Sequence, residues 1–253
     1  MTQLPSARPS VSVCFPAYNE EATIGGVLEE AHGLLAASGL DYEILVCNDG
    51  SRDRTGPIVD EIARRIPRLR AIHHPQNRGI HDTFEHLYRE STCEFVFLNS
   101  TDRQWDTRIL LDMIPLTSEW DVIIASRRRK HYGVARTVIS SGFNLLPRLL
   151  FGVRTEDAGA VKLVRREIIE RCPLVSRSPF SEAERLIRAA RAGYRITVRP
   201  VMTAPRHTGR SRGVSAALVI ESLRDVVRVW WALRHAPRRI KPQPAESSHA
   251  DRR

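Results

Sequence analysis

Short apolar runs and amphipathic stretches alternate along the first half of the chain. The apolar runs cover residues 11–15, 42–47, 69–73, 95–98 and 120–126. Each of these stretches is predicted to be a strand, and the run over residues 95–98, which is β-prone and lacks alternation, is predicted to be buried on both faces of a parallel sheet. Between them, residues 23–35, residues 54–66 and a stretch that ends near residue 89 place apolar side chains at helical spacing. This order predicts an α/β fold, a mostly parallel, doubly wound sheet with helices on both faces.

The pattern changes beyond Gly133. Helices are predicted over residues 134–151, 181–192 and 214–233, and strands over residues 160–164 and 195–202. The last helix carries one apolar stripe with arginines beside it; the stripe consists of Val219, Leu223, Val226, Trp230 and Leu233, and the arginines are Arg224, Arg228 and Arg234. We therefore expect a flexible N-terminus (1–9), one α/β domain (10–212), an amphipathic helix (213–235) and a disordered basic tail (236–253).

Length and composition are those of a single soluble domain. The chain has 253 residues, of which 42% are hydrophobic and 27% charged. It contains no run of about eighteen apolar residues that would span a bilayer. Residues 1–9 lack the apolar core of a secretory signal, so we expect a cytoplasmic protein.

The charge balance favours anionic partners. Lys and Arg total 39 against 29 for Asp and Glu, which gives a net charge of +10. Nucleotide diphosphates, phospholipid headgroups and nucleic acid all fit such an excess. Because no aromatic and basic interleaving or reader motif accompanies the charge, we expect no nucleic-acid partner. The four cysteines are widely spaced without a CxxC pair, which is typical of small buried hydrophobic residues rather than a zinc or redox centre.

Acidic residues follow three of the predicted strands, at the edge of the sheet where α/β proteins usually bind ligands. They are Glu20, Asp49 and Asp102. Asp102 lies in the polar segment Asn99-Ser100-Thr101-Asp102-Arg103-Gln104, where it would ligate a hard cation and, through it, a diphosphate. The alternative is that Asp102 caps the helix that begins near Thr107. No GxGxxG follows the first strand, which argues against a dinucleotide oxidoreductase.

Four motifs occur in an order that resembles the family 2 glycosyltransferases. They are Pro16-Ala17-Tyr18-Asn19-Glu20-Glu21, Asn48-Asp49-Gly50-Ser51-Arg52-Asp53-Arg54-Thr55, Asn77-Arg78-Gly79 and Asp102-Arg103-Gln104. The resemblance covers roughly residues 11–212 and is strongest to the dolichyl- or polyprenyl-phosphate mannose synthases. It implies a GT-A fold and inverting transfer of a hexose from a nucleotide-diphosphate sugar, of the GDP-mannose or UDP-glucose type, to a polyprenyl phosphate. It also implies a requirement for Mg²⁺ or Mn²⁺.

The resemblance also implies roles for individual residues on the donor side. Pro16, Ala17, Tyr18 and Glu20 would line the nucleoside pocket. Asp49 would hydrogen-bond the base, which suits a carboxylate because it accepts from ring N–H groups. Asp102 matches the second aspartate of the family's DXD motif, the ligand of the cation, and Gln104 matches the glutamine that often follows.

On the acceptor side, Glu156 and Asp157 both match the position of a family aspartate, by spacing and by residue type respectively. Either would serve as the base if the acceptor were a sugar hydroxyl. Arg206, Gly209 and Ser211 match the family's Arg-x-x-Gly-x-Ser motif, which contacts phosphate. Arg206, with Arg128 and Arg210, would hold a lipid phosphate.

The chain departs from the family pattern at four places. Ser100 replaces the first aspartate of DXD, Asn48 replaces an aspartate, Ala160-Val161 replaces Gly-Phe, and residues 80–84 replace a small-residue segment. Two alternatives therefore stay open, transfer to a saccharide acceptor and a non-catalytic nucleotide-sugar-binding scaffold. We expect the helix predicted over residues 214–233 to lie in an anionic membrane interface, at the inner face of the plasma membrane, to pack on the domain, or to do both.

Overall fold

The computed structural model describes residues 8–101, 103–127, 149–153, 160–201 and 216–235. Its strands are β1 (Val11–Ala17), β2 (Tyr42–Asn48), β3 (Leu69–His73), β4 (Phe95–Leu98), β5 (Val122–Arg127), β6 (Lys162–Arg165) and β7 (Ile196–Val201). Its helices are α1 (Ile24–Ser38), α2 (Thr55–Arg65), α3 (Ile80–Glu90), α4 (Arg108–Met113), α5 (Arg166–Arg171), α6 (Ser181–Arg191) and α7 (Ala216–His235). A 3₁₀ helix, Ile114–Ser118, follows α4.

The strands form one seven-stranded sheet in the order β3-β2-β1-β4-β6-β5-β7. β1, β2, β3 and β4 are parallel, β6 is antiparallel to both β4 and β5, and β7 is parallel to β5. The prediction of a mostly parallel α/β sheet is confirmed, with β6 as the antiparallel member. Val11 is opposite both Tyr42 and Phe95, so β1, β2 and β4 run in register and their carboxyl ends meet at one edge.

Helices cover both faces of the sheet, as predicted. On one face, Val13 and Phe15 of β1 belong to the same buried cluster as Leu28 of α1. On the other face, Cys14 of β1 packs in a second cluster with Leu87 of α3. Because successive strand residues point to opposite faces, both sets must be apolar, which explains the unbroken apolar runs. Each such buried side chain contributes about 1.5–3 kcal/mol.

Several elements differ from the sequence prediction. The strand predicted over residues 160–164 is β6, which begins two residues later and ends one residue later, and neither α5 nor the 3₁₀ helix was predicted. Four of the six residues of α5 are charged, so the helix is too short and too polar to show an apolar period. The helix predicted over residues 134–151 lies mostly outside the described residues, although residues 149–151 are helical. Of the terminal segments predicted to be flexible or disordered, residues 1–7 and 236–253 lie outside the described residues.

Helix α7 packs on the domain through one side and exposes apolar residues on another. The buried side faces Phe180, Ala183 and Ile187 and consists of Ser222, Asp225, Val226, Val229 and Leu233. Ile220, Leu223, Val227 and Trp231 are exposed. The predicted stripe is therefore divided, since Val226 and Leu233 are buried whereas Leu223 is exposed. Within the described ranges, no helix combines the length and apolar character needed to cross a bilayer.

Candidate functional site

The loops after β1 and β2 are joined by hydrogen bonds between side chains and backbone. The backbone N–H of Asn19 donates to Oγ of Ser51 over 2.9 Å, and the N–H of Arg52 donates back to Oδ1 of Asn19 over 2.9 Å. Asn19 adopts a left-handed conformation (φ 55°), which asparagine tolerates better than most residues. The N–H of Glu20 donates to Oγ1 of Thr55 over 2.8 Å. Glu20 is thereby held beside the first turn of α2.

Asp53 makes the second connection between these loops. Its Oδ2 accepts from the N–H of Glu21 over 3.1 Å, and its Oδ1 accepts from the N–H and hydroxyl of Thr55 over 3.0 and 2.6 Å. Burial alone would raise the pKa of Asp53, but these hydrogen bonds to the ionised form outweigh it and lower the pKa. The carboxylate therefore stays charged at neutral pH and fixes the first turn of α2.

Asp49 organises the loop between β3 and α3. Its buried carboxylate accepts from the backbone N–H groups of Arg78 and Gly79 over 2.8 and 2.9 Å and lies 2.7 Å from Nδ1 of His74. The second and third sequence motifs, which carry Asp49 and Gly79, are thus in direct contact. The predicted hydrogen bond from Asp49 to a nucleotide base stays a prediction.

Asn48, one of the departures from the family pattern, has its own hydrogen-bonding partners. Its Oδ1 accepts from the N–H of Ser51 over 3.1 Å, and its Nδ2 lies 3.1 Å from Nδ1 of His73. The opposite nitrogen of His73 lies 2.9 Å from Asp60 on α2. An amide serves both contacts because it carries an acceptor and a donor, whereas an ionised carboxylate would only accept.

A histidine pair and a cysteine lie behind Asp49. Nε2 of His74 is 2.8 Å from Nδ1 of His86 on α3 and 3.6 Å from Sγ of Cys47. Burial, together with the charge of Asp49, raises the pKa of Cys47 to about 12. Burial also lowers the pKa of His86, and the neighbouring His74 acts in the same direction.

The segment after β4 lies against the end of β1. The N–H of Asn99 donates to the carbonyl of Cys14 over 2.9 Å, and the hydroxyl of Thr101 lies 3.4 Å from the carbonyl of Pro16. Ser100 and Gln104 are half-buried. Arg103 adopts a left-handed conformation and pairs with Glu30 of α1 over 2.9 Å.

Five predicted site residues lie at one edge of the sheet: Pro16, Ala17, Tyr18, Glu20 and Asp49. Gln104 is half-buried in the segment that follows β4. The N–H of Asp49 donates to the carbonyl of Ala17 over 2.8 Å, which fixes the ends of β1 and β2 side by side. The other predicted site residues lie outside the described residues, and their roles stay predictions; they are Asp102, Arg128, Glu156, Asp157, Arg206, Arg210 and Ser211.

Sequence reasoning missed a buried charged cluster next to this edge. Nζ of Lys162, on the β6 residue opposite Leu98, pairs with Oε2 of Glu182 over 2.7 Å. Arg185 lies 3.7 Å from Oε1 of Glu182, pairs with Glu85 of α3 and stacks over the ring of Tyr88 at 4.1 Å. Burial alone would raise the pKa of Glu182, but Lys162 and Arg185 outweigh it and lower the pKa. In the sequence, this cluster is indicated by Lys162, an isolated cation within a predicted strand.

The family of the chain is shown by comparison with known proteins. A model of glycosyl transferase family 2 matches residues 12–181. Glycosyltransferase AglD of Haloferax volcanii is 30% identical over 247 residues, which cover 92% of this chain and 39% of AglD. The undecaprenyl-phosphate 4-deoxy-4-formamido-L-arabinose transferase of Pectobacterium atrosepticum is 24% identical over 163 residues, 63% of this chain and 50% of that enzyme. The chain thus spans half or less of the length of these curated relatives.

The fold is shared with solved structures at lower identity. The glucosyl-3-phosphoglycerate synthase of Mycobacterium tuberculosis, solved with Mn²⁺, UDP and glucosyl-3-phosphoglycerate, superposes with a TM-score of 0.67 at 19% identity. The match covers 90% of this chain and 81% of that one. The sheet described above is therefore a GT-A type fold, and the chain belongs to the family 2 glycosyltransferases.

Proposed function

We propose that this protein is an inverting glycosyltransferase that moves a hexose from a nucleotide-diphosphate sugar to a polyprenyl phosphate. The observation that carries the proposal is the joining of three loops at one sheet edge, those after β1, β2 and β4, in a chain of this family. The carboxyl edge of parallel strands is where open α/β sheets bind nucleotides.

The donor would bind against Pro16, Ala17, Tyr18 and Glu20, with Asp49 toward the base. The polar segment Asn99–Gln104 offers carboxylate, hydroxyl and amide oxygens, the donor set that Mg²⁺ and Mn²⁺ prefer. Asp102 is its only carboxylate and would hold such a cation. The cation would supply Lewis-acid stabilisation of the departing diphosphate.

A phosphate acceptor needs little help from a base, because it is already ionised near neutral pH. One of its oxygens would form the bond to the anomeric carbon from the face opposite the diphosphate, while the carbon–diphosphate bond breaks and inverts the centre. Arg206, with Arg128 and Arg210, would hold the acceptor phosphate through paired N–H donors. The relative from Pectobacterium atrosepticum, which is named for undecaprenyl phosphate, supports this acceptor class.

Helix α7 would bring the protein to the lipid. Its exposed apolar residues follow one another at spacings of three and four, so they share one face; they are Ile220, Leu223, Val227 and Trp231. Val227 and Trp231 are 61% and 62% exposed. With arginines on the same helix, such a face suits peripheral contact with an anionic membrane, which we expect at the inner face of the plasma membrane.

Donor turnover tests the transferase proposal. Purified protein is incubated with GDP-mannose or UDP-glucose, Mg²⁺ or Mn²⁺ and a polyprenyl phosphate, and sugar is followed into the lipid phase. We expect cation-dependent transfer that Asp102→Ala abolishes and Asp106→Ala retains, since Asp106 is an exposed carboxylate that accepts from the N–H of Arg108 over 2.8 Å. Donor binding without transfer to lipid would contradict the proposal.

The same assay separates the two alternatives. Transfer to a saccharide acceptor that requires Glu156 or Asp157 would indicate a hydroxyl acceptor with a general base. Binding of donor with no transfer to either acceptor would favour a scaffold protein, for which Ser100 in place of an aspartate is the relevant observation.

Sedimentation with anionic vesicles tests the membrane contact separately. We expect wild-type protein to sediment at low salt and to be released by high salt. Val227→Asp should reduce the sedimented fraction, whereas Leu149→Asp, at an apolar residue that is 70% exposed in a different segment, should not. Equal binding of the two variants would contradict a role for α7.

A further inference from the structure

Cys47, His74 and His86 form a cluster of potential metal ligands behind Asp49. Their ligand atoms lie within 4.8 Å of one another. Three separate elements supply them, because Cys47 is in β2, His74 follows β3 and His86 is in α3. Cys47 and His74 are buried and His86 is half-buried, so the cluster is shielded yet within reach of solvent.

Nε2 of His74 lies within reach of both the Cys47 thiol and the ring of His86. Nδ1 of His74 lies 2.7 Å from the Asp49 carboxylate and therefore carries a proton. The remaining lone pair on Nε2 of neutral His74 faces the thiol of Cys47 at 3.6 Å and Nδ1 of His86 at 2.8 Å. A metal ion at this point would take lone pairs from all three groups at once.

We propose that Cys47, His74 and His86 bind a Zn²⁺ ion. A zinc ion accepts lone pairs from the Cys47 thiolate, Nε2 of His74 and Nδ1 of His86, and water completes the tetrahedron. Tetrahedral bond lengths require about 3.6 Å between the sulfur and a histidine nitrogen, and about 3.3 Å between two histidine nitrogens. Sγ of Cys47 is already 3.6 Å from Nε2 of His74. The two histidine nitrogens, now 2.8 Å apart, must separate by about half an ångström, and all three ligand atoms lie within 4.8 Å of one another.

Each of the two histidines has a carboxylate near its other ring nitrogen. Asp49 accepts from Nδ1 of His74, the nitrogen opposite the proposed ligand atom. Oε1 of Glu90, one helical turn after His86, lies 3.9 Å from Nε2 of His86. A carboxylate on the second nitrogen of a ligating histidine is the usual support of a zinc site, because it fixes the tautomer and the ring.

This site differs from the one expected at Asp102. Its sulfur and nitrogen donors favour Zn²⁺, whereas the oxygen donors of the Asn99–Gln104 segment favour Mg²⁺ or Mn²⁺. A zinc ion there would join β2, α3 and the loop after β3 directly beneath Asp49, so its role would be to fix the wall of the nucleotide pocket. The zinc site itself goes beyond the proposed function and does not depend on it, whereas its role at the nucleotide pocket rests on that function.

Metal titration of the full chain tests the inference. Chelator-treated protein is titrated with Co²⁺, which takes the same geometry and reports a thiolate ligand by charge-transfer absorption in the near ultraviolet, and then with Zn²⁺ in competition. We expect one equivalent of Co²⁺ with that absorption, its displacement by Zn²⁺, and a rise in Tm with Zn²⁺. Cys47→Ser should remove the absorption and weaken Zn²⁺ binding by more than about 100-fold, since loss of an orienting partner alone costs 10–100-fold.

Matched variants control for folding. Cys14→Ser changes another buried cysteine on the same face of the sheet, and His81→Gln changes another histidine of α3. Both should keep the charge-transfer absorption and the affinity for Zn²⁺, as should Asp102→Ala. His86→Gln, at the half-buried ligand, should lose the affinity while keeping the circular dichroism of the wild type. Absence of charge-transfer absorption in the wild type, or its persistence in Cys47→Ser, would overturn the inference.

Discussion

A Cβ added to Gly50 would lie 2.6 Å from the backbone nitrogen of Asn77, a separation that real Cβ atoms essentially never show. Gly50 also has φ +65°, in the left-handed region that side chains rarely adopt. Its neighbour Asp49 accepts from the N–H groups of Arg78 and Gly79. The loops after β2 and β3 are therefore in backbone contact, and only glycine fits between them.

Gly50→Ala is expected to displace the loop that carries Arg78 and Gly79. The left-handed strain alone costs about 1 kcal/mol or more, and the backbone of Asn77 cannot move without disturbing the hydrogen bonds to Asp49. We expect a lower midpoint in urea unfolding and weaker binding of nucleotide by calorimetry. Gly33→Ala is the control, because Gly33 is inside α1 with nothing within 4 Å of its added Cβ. That change should be neutral or stabilise by about 0.5–1 kcal/mol; equal effects at the two glycines would contradict the prediction.

The hydroxyl of Thr55 is expected to hold the loops after β1 and β2 together. It accepts from the N–H of Glu20 and donates to Asp53, and the residue is fully buried. Thr55→Val keeps the shape but leaves the Glu20 N–H without its acceptor, which costs about 1–3 kcal/mol. Thr55→Ser keeps both hydrogen bonds and should lose only the methyl contribution, about 0.8 kcal/mol. Urea unfolding measures both, and an equal loss in the two variants would indicate packing rather than hydrogen bonding.

The positions of many elements could be predicted from sequence, because a strand that is buried on both faces appears as consecutive apolar residues. The strand predictions over residues 69–73 and 95–98 matched β3 and β4 residue for residue, and β4 is an unbroken apolar run. β1 continues two residues beyond its apolar run, since Pro16 and Ala17 still pair with Cys47 and Asn48 of β2. Motif order then placed Asp49 and Glu20 at the same edge, because the carboxyl ends of parallel strands coincide.

The contacts that join distant elements could not be predicted in the same way. Cys47 and His74 are 27 residues apart, and no periodicity or motif connects them. In the sequence, the wide spacing of the cysteines and the lack of a CxxC pair had indicated small buried hydrophobic residues rather than a metal centre. Arg185 is fully buried because Glu85 and Tyr88 of α3 meet it there, and those partners are 100 and 97 residues away in sequence. Single-sequence patterns report the face of a helix, not the element that packs against it.

Acid sensitivity is expected to depend on Glu182. The folded protein holds the pKa of Glu182 below its ordinary value, so the unfolded chain binds a proton at a higher pH than the folded protein. The resulting stabilisation is complete above the unfolded-state pKa, about 4.3, and is lost as the pH falls through the folded-state pKa. Glu182→Gln should therefore show a weaker fall in unfolding free energy below about pH 4.3. Urea unfolding at several pH values measures this.

The same variant should destabilise the protein at neutral pH. It leaves Lys162 and Arg185 buried without the carboxylate between them, at a cost of about 3–5 kcal/mol. Glu170→Gln is the control, because Glu170 forms an exposed pair with Arg166 over 3.2 Å that should be worth less than about 1 kcal/mol. A double change, Lys162→Met with Glu182→Leu, should recover part of the loss, since Lys162 no longer leaves a buried charge while Arg185 keeps its pair with Glu85. Similar losses for Glu170→Gln and Glu182→Gln would contradict a buried ionic role.

Asp225 is expected to hold α7 on the domain. Its fully buried carboxylate accepts from the N–H groups of Arg177 and Ser178 over 2.8 and 2.9 Å and pairs with Arg228 over 2.9 Å. Asp225→Ala would leave the two N–H groups buried without acceptors, so the loss should reach about 3 kcal/mol or more. Hydrogen exchange of the α7 amides should then quicken, because the helix detaches before the sheet unfolds. Arg228→Ala removes only a partly exposed partner and should change the unfolding free energy by less than about 1 kcal/mol. Exchange of the α7 amides at the same rate in both variants would contradict this. That result would mean that the packing of Val226, Val229 and Leu233 alone holds the helix and that the carboxylate has no docking role.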